Sequence, residues 1–348
     1  MAAIVGCAAY IPRWRISAQE YVTAWGTFSG GGVRAKAVAD ADEDAVTMGW
    51  EAARRLLPEA ADRRRVRALY FASTTPPYRV GTSAATLAAM LGLREDVSVY
   101  DLTTSRRSGL AALRLALQDA SGRTGAGGPA EADDWILVVA AENPAAAPGS
   151  DLEHGLGHAA AALLVGSRGP APVIWDGGST REYLGGIFLR DEDGSLQQQA
   201  VSSYTDHGDE TLLRPLITAL RGACGDGFPR VAVILAHREP ARVARLGARL
   251  GLAEEQIRPC TVTAAIGDTG AAAALLELQL VLETAAPGTH VAVLAWHGGA
   301  AADGLALRVT GPVLVPQDGA ISGQLEGGAQ LTYVRYARLQ GYLAARGR

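Results

Sequence analysis

Lysine is almost absent from this chain. Lys36 is the only lysine among the 32 lysine and arginine residues of the 348-residue sequence. Catalysis through a Schiff base needs a lysine amine, so this chemistry has a single candidate. Because Lys36 lies in a glycine-rich, polar stretch of the sequence, we do not expect it to be catalytic.

Cysteine is scarce as well. Cys7, Cys224 and Cys260 lie far apart and are odd in number, which excludes a disulfide framework and leaves no metal-ligand spacing. Such cysteine usage fits a reducing compartment. We therefore expect free thiols, no bound metal and a cytoplasmic protein.

Long apolar runs and an excess of positive charge are also missing. No segment reaches the roughly 18 apolar residues of a membrane helix, and the N-terminus lacks a basic stretch followed by a long apolar run. The formal net charge is −4, which provides no general attraction for nucleic acid. We therefore expect a protein that binds neither membranes nor nucleic acid.

What the chain does contain is a repeated order of elements. In each half, a strand-like segment is followed by a turn into an alanine- and leucine-rich helix and then by a second strand-like segment. In the first half these are residues 68–77, 105–117 and 134–143, and in the second half they are 231–240, 266–282 and 290–299. Continuous apolar strands that alternate with helices are typical of sheets covered by helices. The repeat predicts an α/β fold with an internal duplication, whose halves are residues 1–168 and 169–348.

Six motifs occur in order along these halves. They are VGCAAYIPRWRI (5–16), AKAVADADEDAVTMGWEAARRLL (35–57), FASTTPPY (71–78), LAHREP (235–240), AIGDTGAAAALLEL (265–278) and WHGGAAADGLAL (296–307). Together they resemble motifs of the thiolase superfamily, and within it the archaeal-type 3-hydroxy-3-methylglutaryl-CoA synthases and the ketoacyl-ACP synthases III. The resemblance implies a five-layer α-β-α-β-α fold and a homodimer.

The resemblance also implies a chemistry. Its substrate would be an acyl thioester carried by CoA or by the phosphopantetheine of an acyl carrier protein, with no tightly bound cofactor. In the family, a cysteine at the first strand–helix turn attacks the thioester, and a histidine and an asparagine polarise its carbonyl. A glutamate serves as general acid and base. A zinc-ribbon/OB-fold partner protein and a role in secondary metabolism are further implications.

The chain departs from the family pattern at the positions that matter most for this chemistry. Arg106 aligns with the cysteine, Thr74 with the glutamate and Asp268 with the asparagine. Only His237 is retained. We therefore do not expect condensation through an acyl-cysteine.

Ser105, which precedes Arg106, has two interpretations. It is either a nucleophile, with His237 as its general base and Asp268 orienting the imidazole, or a serine that caps the following helix. The change from asparagine to Asp268 suits the first interpretation, because a carboxylate only accepts hydrogen bonds and so stabilises an imidazolium.

Arg106, Thr74 and Ser108 are the predicted substrate-binding residues. Arg106 and its neighbour Arg107 stand where a helix begins, which suits a bound anion such as a substrate carboxylate or a pantetheine phosphate. Alternatively, Arg106 pairs with Asp268 and fills the former acyl pocket, which would mean a site without chemistry.

These observations leave three functions open. We predict an enzyme that transfers or cleaves an acyl group without a cysteine nucleophile. The alternatives are a non-catalytic subunit of a heteromeric thiolase-type complex and a cysteine-independent aldol or retro-Claisen lyase with tyrosine or histidine as its base. Fold alone does not distinguish them.

Overall fold

The fold was analysed in a computed structural model. It describes residues 1–78, 80–103, 105–122, 134–180, 188–190, 196–198, 205–297 and 301–343. The sequence also predicts a glycine-rich surface loop at 121–134 and a polar insertion, unique to the second half, at 191–210. Most of the first segment and much of the second lie outside the described residues.

Strands and helices alternate along the chain. The strands are β1 (Ala3–Tyr10), β2 (Trp14–Ser17), β3 (Ala35–Val38), β4 (Val66–Ser73), β5 (Ser98–Thr103), β6 (Trp135–Glu142), β7 (Ala159–Gly166), β8 (Ala171–Thr180), β9 (Phe188–Arg190), β10 (Leu196–Gln198), β11 (Ala232–Leu235), β12 (Ile257–Arg258), β13 (His290–His297), β14 (Ala301–Arg308) and β15 (Ala329–Gln330). The helices are α1 (Ala18–Trp25), α2 (Ala45–Leu56), α3 (Ala60–Arg64), α4 (Ser83–Leu91), α5 (Ser108–Ala120), α6 (Asp151–Gly155), α7 (Thr205–Cys224), α8 (Val243–Arg249), α9 (Thr261–Ile266), α10 (Ala273–Leu282), α11 (Ile321–Glu326) and α12 (Tyr333–Leu339). None of the helices described is both long enough and apolar enough to cross a bilayer.

Ten of the strands form one sheet in the order β12-β11-β13-β14-β8-β1-β7-β6-β4-β5. In the first set of five, β4 is parallel to β5 and β6, while β7 is antiparallel to β6 and β1. The second set repeats this pattern, because β11 is parallel to β12 and β13, and β14 is antiparallel to β13 and β8. A short antiparallel pairing of β1 with β8 joins the two sets.

Helices cover both faces of each set and produce five layers. Successive side chains of a strand point to opposite faces of the sheet. Because both faces are covered, the central strands are apolar throughout, and alternate residues of β4 lie in different cores. Ala68 and Tyr70 face a central core shared with α5 and α10, whereas Leu69 and Phe71 pack with α2 and α4 on the outer face. A third core buries α7 and α8 against the second set. The predicted five-layer fold with an internal duplication is therefore confirmed.

The division at residue 168 remains a prediction, although one set of strands ends with β7 before it and the other begins with β8 after it.

The two halves meet closely at Gly109, the second residue of α5. A Cβ atom at Gly109 would lie 2.0 Å from the carbonyl oxygen of Ala271. A side chain is therefore excluded at the point where the two central helices begin.

Lys36 lies on β3, and its side chain is buried although glycines and charged residues flank this strand in the sequence. The Nζ atom donates hydrogen bonds to the carbonyl oxygen of Glu153 and, at 3.1 Å, to the hydroxyl of Tyr336. It also lies 5.2 Å from the ring centroid of Tyr21 and 4.7 Å from that of Tyr336. Burial lowers the pKa of the Lys36 ammonium to about 7, because desolvation disfavours the charged form.

We predict that Lys36 makes the free energy of unfolding rise with pH above neutrality. Between pH 7 and about pH 10.4, the usual pKa of lysine, the unfolded chain binds a proton that the folded protein does not. Stability therefore increases through this window by up to about 1.4 kcal/mol per pH unit from this group. Urea unfolding at several pH values should show a steeper rise for the wild type than for Lys36→Met, and equal slopes would contradict the prediction.

Candidate active site

The turn before α5 is the first component of the site. Helix α5 begins at Ser108, and residues 105–107 form the turn that precedes it, as the sequence predicts. The hydroxyl of Ser105 accepts only a long hydrogen bond of 3.4 Å from the backbone N–H of Arg107. The Ser108 hydroxyl is turned back toward the strand, since it donates to the carbonyl oxygen of Thr103 at 3.3 Å.

Arg106 reaches from this turn into the second half of the chain and pairs with Asp268. Its Nη2 and Nε atoms donate to Oδ1 and Oδ2 of Asp268 at 2.6 and 3.0 Å. The two side chains are only 10% and 3% exposed. A bidentate guanidinium–carboxylate pair of this kind is both strong and orienting.

The position of Asp268 is fixed by its own backbone. Its N–H donates to the carbonyl oxygen of Gly155 at 2.7 Å, and its carbonyl oxygen accepts from the N–H of Gly157 at 2.9 Å. The N–H of Gly270 also donates to Oδ1 at 3.1 Å. Both carboxylate oxygens of Asp268 therefore accept hydrogen bonds. Of the two alternatives for Arg106, an anion site or a pair with Asp268, the structure contains the pair.

His237 follows β11 and has a different carboxylate beside it. Its Nε2 atom lies 3.6 Å from Oδ2 of Asp209 on α7. The Nδ1 atom accepts the backbone N–H of Glu239 at 2.9 Å, so the neutral ring carries its proton on Nε2. In this tautomer His237 donates from Nε2, whereas the predicted general base would need a lone pair there.

Two contacts expected around His237 do not occur in the described part of the chain. No hydrogen bond joins its ring to Asp268, whose oxygens bind Arg106, and none joins it to Ser105. The Ser105–His237–Asp268 arrangement thus lacks the contacts it requires in this conformation. The catalytic roles of these three residues remain predictions.

Thr74, the residue that aligns with the family glutamate, lies beside a carboxylate from the neighbouring strand. Its N–H and hydroxyl donate to Oε1 and Oε2 of Glu142, at the end of β6, at 2.7 and 2.9 Å. Thr75 Oγ1 and the N–H of Ala271 donate to the same carboxylate at 2.7 and 2.9 Å. Glu142 therefore connects the end of β4 to the start of the second central helix.

Glu142 is a residue that sequence analysis missed. It is fully buried, and this desolvation raises the pKa of its carboxyl group. One sequence feature could have identified it. Glu142 is a carboxylate at the end of a predicted buried strand, and Ser73 lies at the end of the strand that pairs with it. Asp209 was also missed, because it lies in the insertion of the second half, where no first-half counterpart draws attention to it.

Arg107 does not face the same partner as Arg106. Its Nη1 donates to Oδ2 of Asp303 at 2.5 Å, and Arg114 binds the other oxygen of that carboxylate. Consecutive residues at a helix start point in different directions, which separates the two guanidinium groups. Each of the two arginines thus has a carboxylate partner within the protein.

The three thiols are poor nucleophiles in this structure. Burial raises the pKa of Cys260 to about 12, and its Sγ donates to the carbonyl oxygen of Leu235 at 3.0 Å. Burial also raises the pKa values of Cys7 and Cys224. Because the thiolate is the reactive form, none of the three is prepared for attack at neutral pH.

Solved structures with the same fold define the class of this protein. MvaS in complex with 3-hydroxy-3-methylglutaryl coenzyme A aligns with a TM-score of 0.82 at 19% identity, over 97% of this chain and 91% of that one. The 3-oxoacyl-(acyl carrier protein) synthase III of Pseudomonas aeruginosa PAO1 aligns with a TM-score of 0.76 at 18% identity, over 90% and 99%. The chain therefore has the thiolase-like fold of these synthases.

Sequence comparison identifies the family. The hydroxymethylglutaryl-CoA synthase of Thermococcus onnurineus (strain NA1) is 30% identical over 319 residues, which cover 88% of this chain and 86% of that protein. The synthase of Aeropyrum pernix is 29% identical over 99% of this chain and 96% of its own. No family model matches. The chain belongs to the hydroxymethylglutaryl-CoA synthase family, whose members are thiolase-type enzymes that condense acyl thioesters.

We predict that Arg106 and Asp268 stabilise the fold only as a pair. Arg106→Met leaves a buried carboxylate uncompensated and should cost about 3–5 kcal/mol of unfolding free energy. Arg106→Met combined with Asp268→Asn should recover much of that loss, because no buried charge remains. Urea unfolding of the two single variants and the double variant measures the coupling.

Arg107→Met is the matched control for this cycle. It removes the adjacent guanidinium, but its partner Asp303 keeps the contact with Arg114, so the loss should be smaller. Strictly additive effects of the Arg106 and Asp268 substitutions would contradict the predicted coupling.

Proposed function

We propose that this protein acts on an acyl thioester carried by CoA or by an acyl carrier protein and transfers the acyl group without an acyl-cysteine intermediate. The observation that supports the proposal is the largely buried Arg106–Asp268 pair, which lies at the turn where the motif resemblance predicts the family nucleophile. Burial raises the pKa of each of the three thiols, which disfavours the thiolate that covalent catalysis by a cysteine needs. Transfer would then occur directly from the thioester to an acceptor held beside it.

His237 is the residue we propose to polarise the thioester carbonyl. Its Nε2–H is the available donor, since Nδ1 accepts the backbone N–H of Glu239. A donor aimed at the carbonyl oxygen stabilises the negative charge that develops there during attack. A cleft of about 170 Å³ next to it, lined by Arg238, Glu239 and Asp268 among others, offers room for part of a substrate.

The carrier is the part of the substrate that the charges near His237 support. Arg242, Arg245 and Arg249 form a basic cluster beside His237 and Asp209. Guanidinium groups suit phosphate, which both CoA and phosphopantetheine contain. The proposal therefore includes both carriers.

We also propose that the protein forms a homodimer through β5. This strand ends the ten-stranded sheet, and an edge strand presents unpaired backbone groups that a second copy is able to bind. Apolar side chains near it are exposed, including Tyr100 at 37% and Tyr78 at 57%. Sedimentation analysis of the wild type against Tyr100→Glu tests this assembly.

A second function, a non-catalytic subunit of a heteromeric thiolase-type complex, is favoured by one observation. The Arg106–Asp268 pair fills the position of the nucleophile and engages the second-half residue that would otherwise meet the substrate. In this case the chain would serve to bind the other subunits of the complex and would not catalyse a reaction. A zinc-ribbon/OB-fold protein is one candidate partner.

We predict that the wild type forms no acyl adduct on a cysteine, whereas R106C/D268N gains one. The double variant restores the residue types of the family at both positions and leaves no unpaired buried charge. Incubation with acetyl-CoA followed by intact-protein mass spectrometry and peptide mapping locates any adduct. Arg106→Ala with Asp268→Asn is the control without a new thiol.

An adduct on Cys7, Cys224 or Cys260 of the wild type would contradict this prediction. A folded double variant that stays unmodified would also contradict it, because a thioester would then not reach the turn.

We predict that His237→Ala lowers turnover by about 10²-fold or more, in the range of one oxyanion donor. Release of free thiol from acetyl-CoA or an acetylated carrier protein, with a panel of alcohol and amine acceptors, measures turnover. Ser105→Ala distinguishes two mechanisms. The substitution would abolish turnover if Ser105 is the nucleophile, and it would leave turnover unchanged if the acyl group is transferred directly. Equal thiol release by the wild type and His237→Ala would favour the non-catalytic subunit.

A further inference from the structure

Asp209 is a partly buried carboxylate to which neither the family pattern nor the sequence assigned a role. It lies near the start of α7, with its side chain 13% exposed. Oδ1 accepts the indole Nε1–H of Trp296 at 2.8 Å. This bond fixes the carboxylate, and the second oxygen, Oδ2, is the one that faces His237 at 3.6 Å.

The ring of His237 is held from two other directions as well. The N–H of Glu239 donates to Nδ1 at 2.9 Å, and the indole of Trp296 packs against the ring with centroids 5.5 Å apart. The same tryptophan thus contacts both the imidazole and the carboxylate. Asp209, Trp296 and His237 form one unit, which we call the His237 triad.

Asp268 does not serve this purpose, because both its oxygens bind Arg106. Of the carboxylates in the described part of the chain, Asp209 is the one within ion-pair distance of the His237 ring. At 3.6 Å the contact is too long for a full hydrogen bond. Asp209 therefore orients Nε2–H without a full hydrogen bond, so a thioester carbonyl would share this donor with the carboxylate.

We propose that Asp209 is the positioning residue of His237, and that its Oδ2 atom, beside Nε2, holds the ring in its present orientation and tautomer. The inference rests on the proposed function for the role of His237, but the contact itself is testable without a substrate. Asp209 stabilises the tautomer that carries the proton on Nε2, because its carboxylate lies beside that nitrogen. In this way it takes the place that the sequence assigned to Asp268.

Side-chain NMR of histidine tests the contact directly, and the chain has only six histidines. In the wild type we expect an observable Nε2–H resonance for His237, assigned by its loss in His237→Gln. Asp209→Ala should abolish that resonance through exchange with water, while Asp209→Asn should keep it at a shifted position, because the amide oxygen still accepts. Glu210→Gln is the matched control, since it removes the adjacent carboxylate, which pairs with Arg214 and Arg249 instead.

An Nε2–H resonance that is unchanged in Asp209→Ala would overturn the proposal, as would its absence from the wild type. If Asp209→Ala does not fold, the Asp209→Asn spectrum decides: a shift of the His237 resonance supports the contact, and an identical spectrum overturns it. Thiol release provides an independent arm, in which Asp209→Ala should lower kcat by about 10²-fold with little change in KM. Loss of the resonance with no turnover in any protein would refute the proposed function and leave the positioning contact intact.

Discussion

The ion pair between Arg106 and Asp268 is the interaction that determines the charge and the geometry of the candidate site. It joins the turn before α5, from the first half, to the turn before α10, from the second. Two buried charges tolerate this location only because they meet in a bidentate contact. The pair thus couples the halves at the turn where the motif resemblance predicts the family nucleophile.

The duplicated fold makes such a meeting inevitable. Equivalent strands of the two halves run in equivalent directions, so the ends of β4, β6 and β11 approach the two central helices from both sides. Gly109 permits contact at van der Waals limits with Ala271, and Glu142 binds donors from both halves. In this chain the architecture brings together two buried carboxylates, Glu142 and Asp268, with donors from both halves.

Much of this arrangement could be read from the sequence. The apolar strands at 68–77 and 134–143, the helix after Arg107 and their second-half counterparts follow from periodicity, and the motifs around them carry the family. The contact of Arg106 with Asp268 was foreseeable as an alternative, because complementary charges replace the family cysteine and asparagine. The orientation of His237 was not foreseeable, since it depends on Glu239, whose backbone N–H occupies Nδ1.

Other features depended on contacts between distant segments. Asp209 belongs to a segment without a first-half counterpart, so no internal comparison indicated its partner. Lys36 lies between glycine-rich and acidic segments of the sequence, and the rings packed around it are Tyr21 and Tyr336, which are 15 positions before it and 300 after it. Local patterns do not encode such long-range desolvation.

The most direct test of the account is a crystal structure of the protein with a non-hydrolysable acyl-CoA analogue. The account predicts that the Arg106 guanidinium keeps both contacts with Asp268 and that the analogue's carbonyl oxygen lies within hydrogen-bond distance of His237 Nε2. An Arg106 side chain displaced from Asp268, with the acyl carbonyl in the space it leaves, would contradict the account.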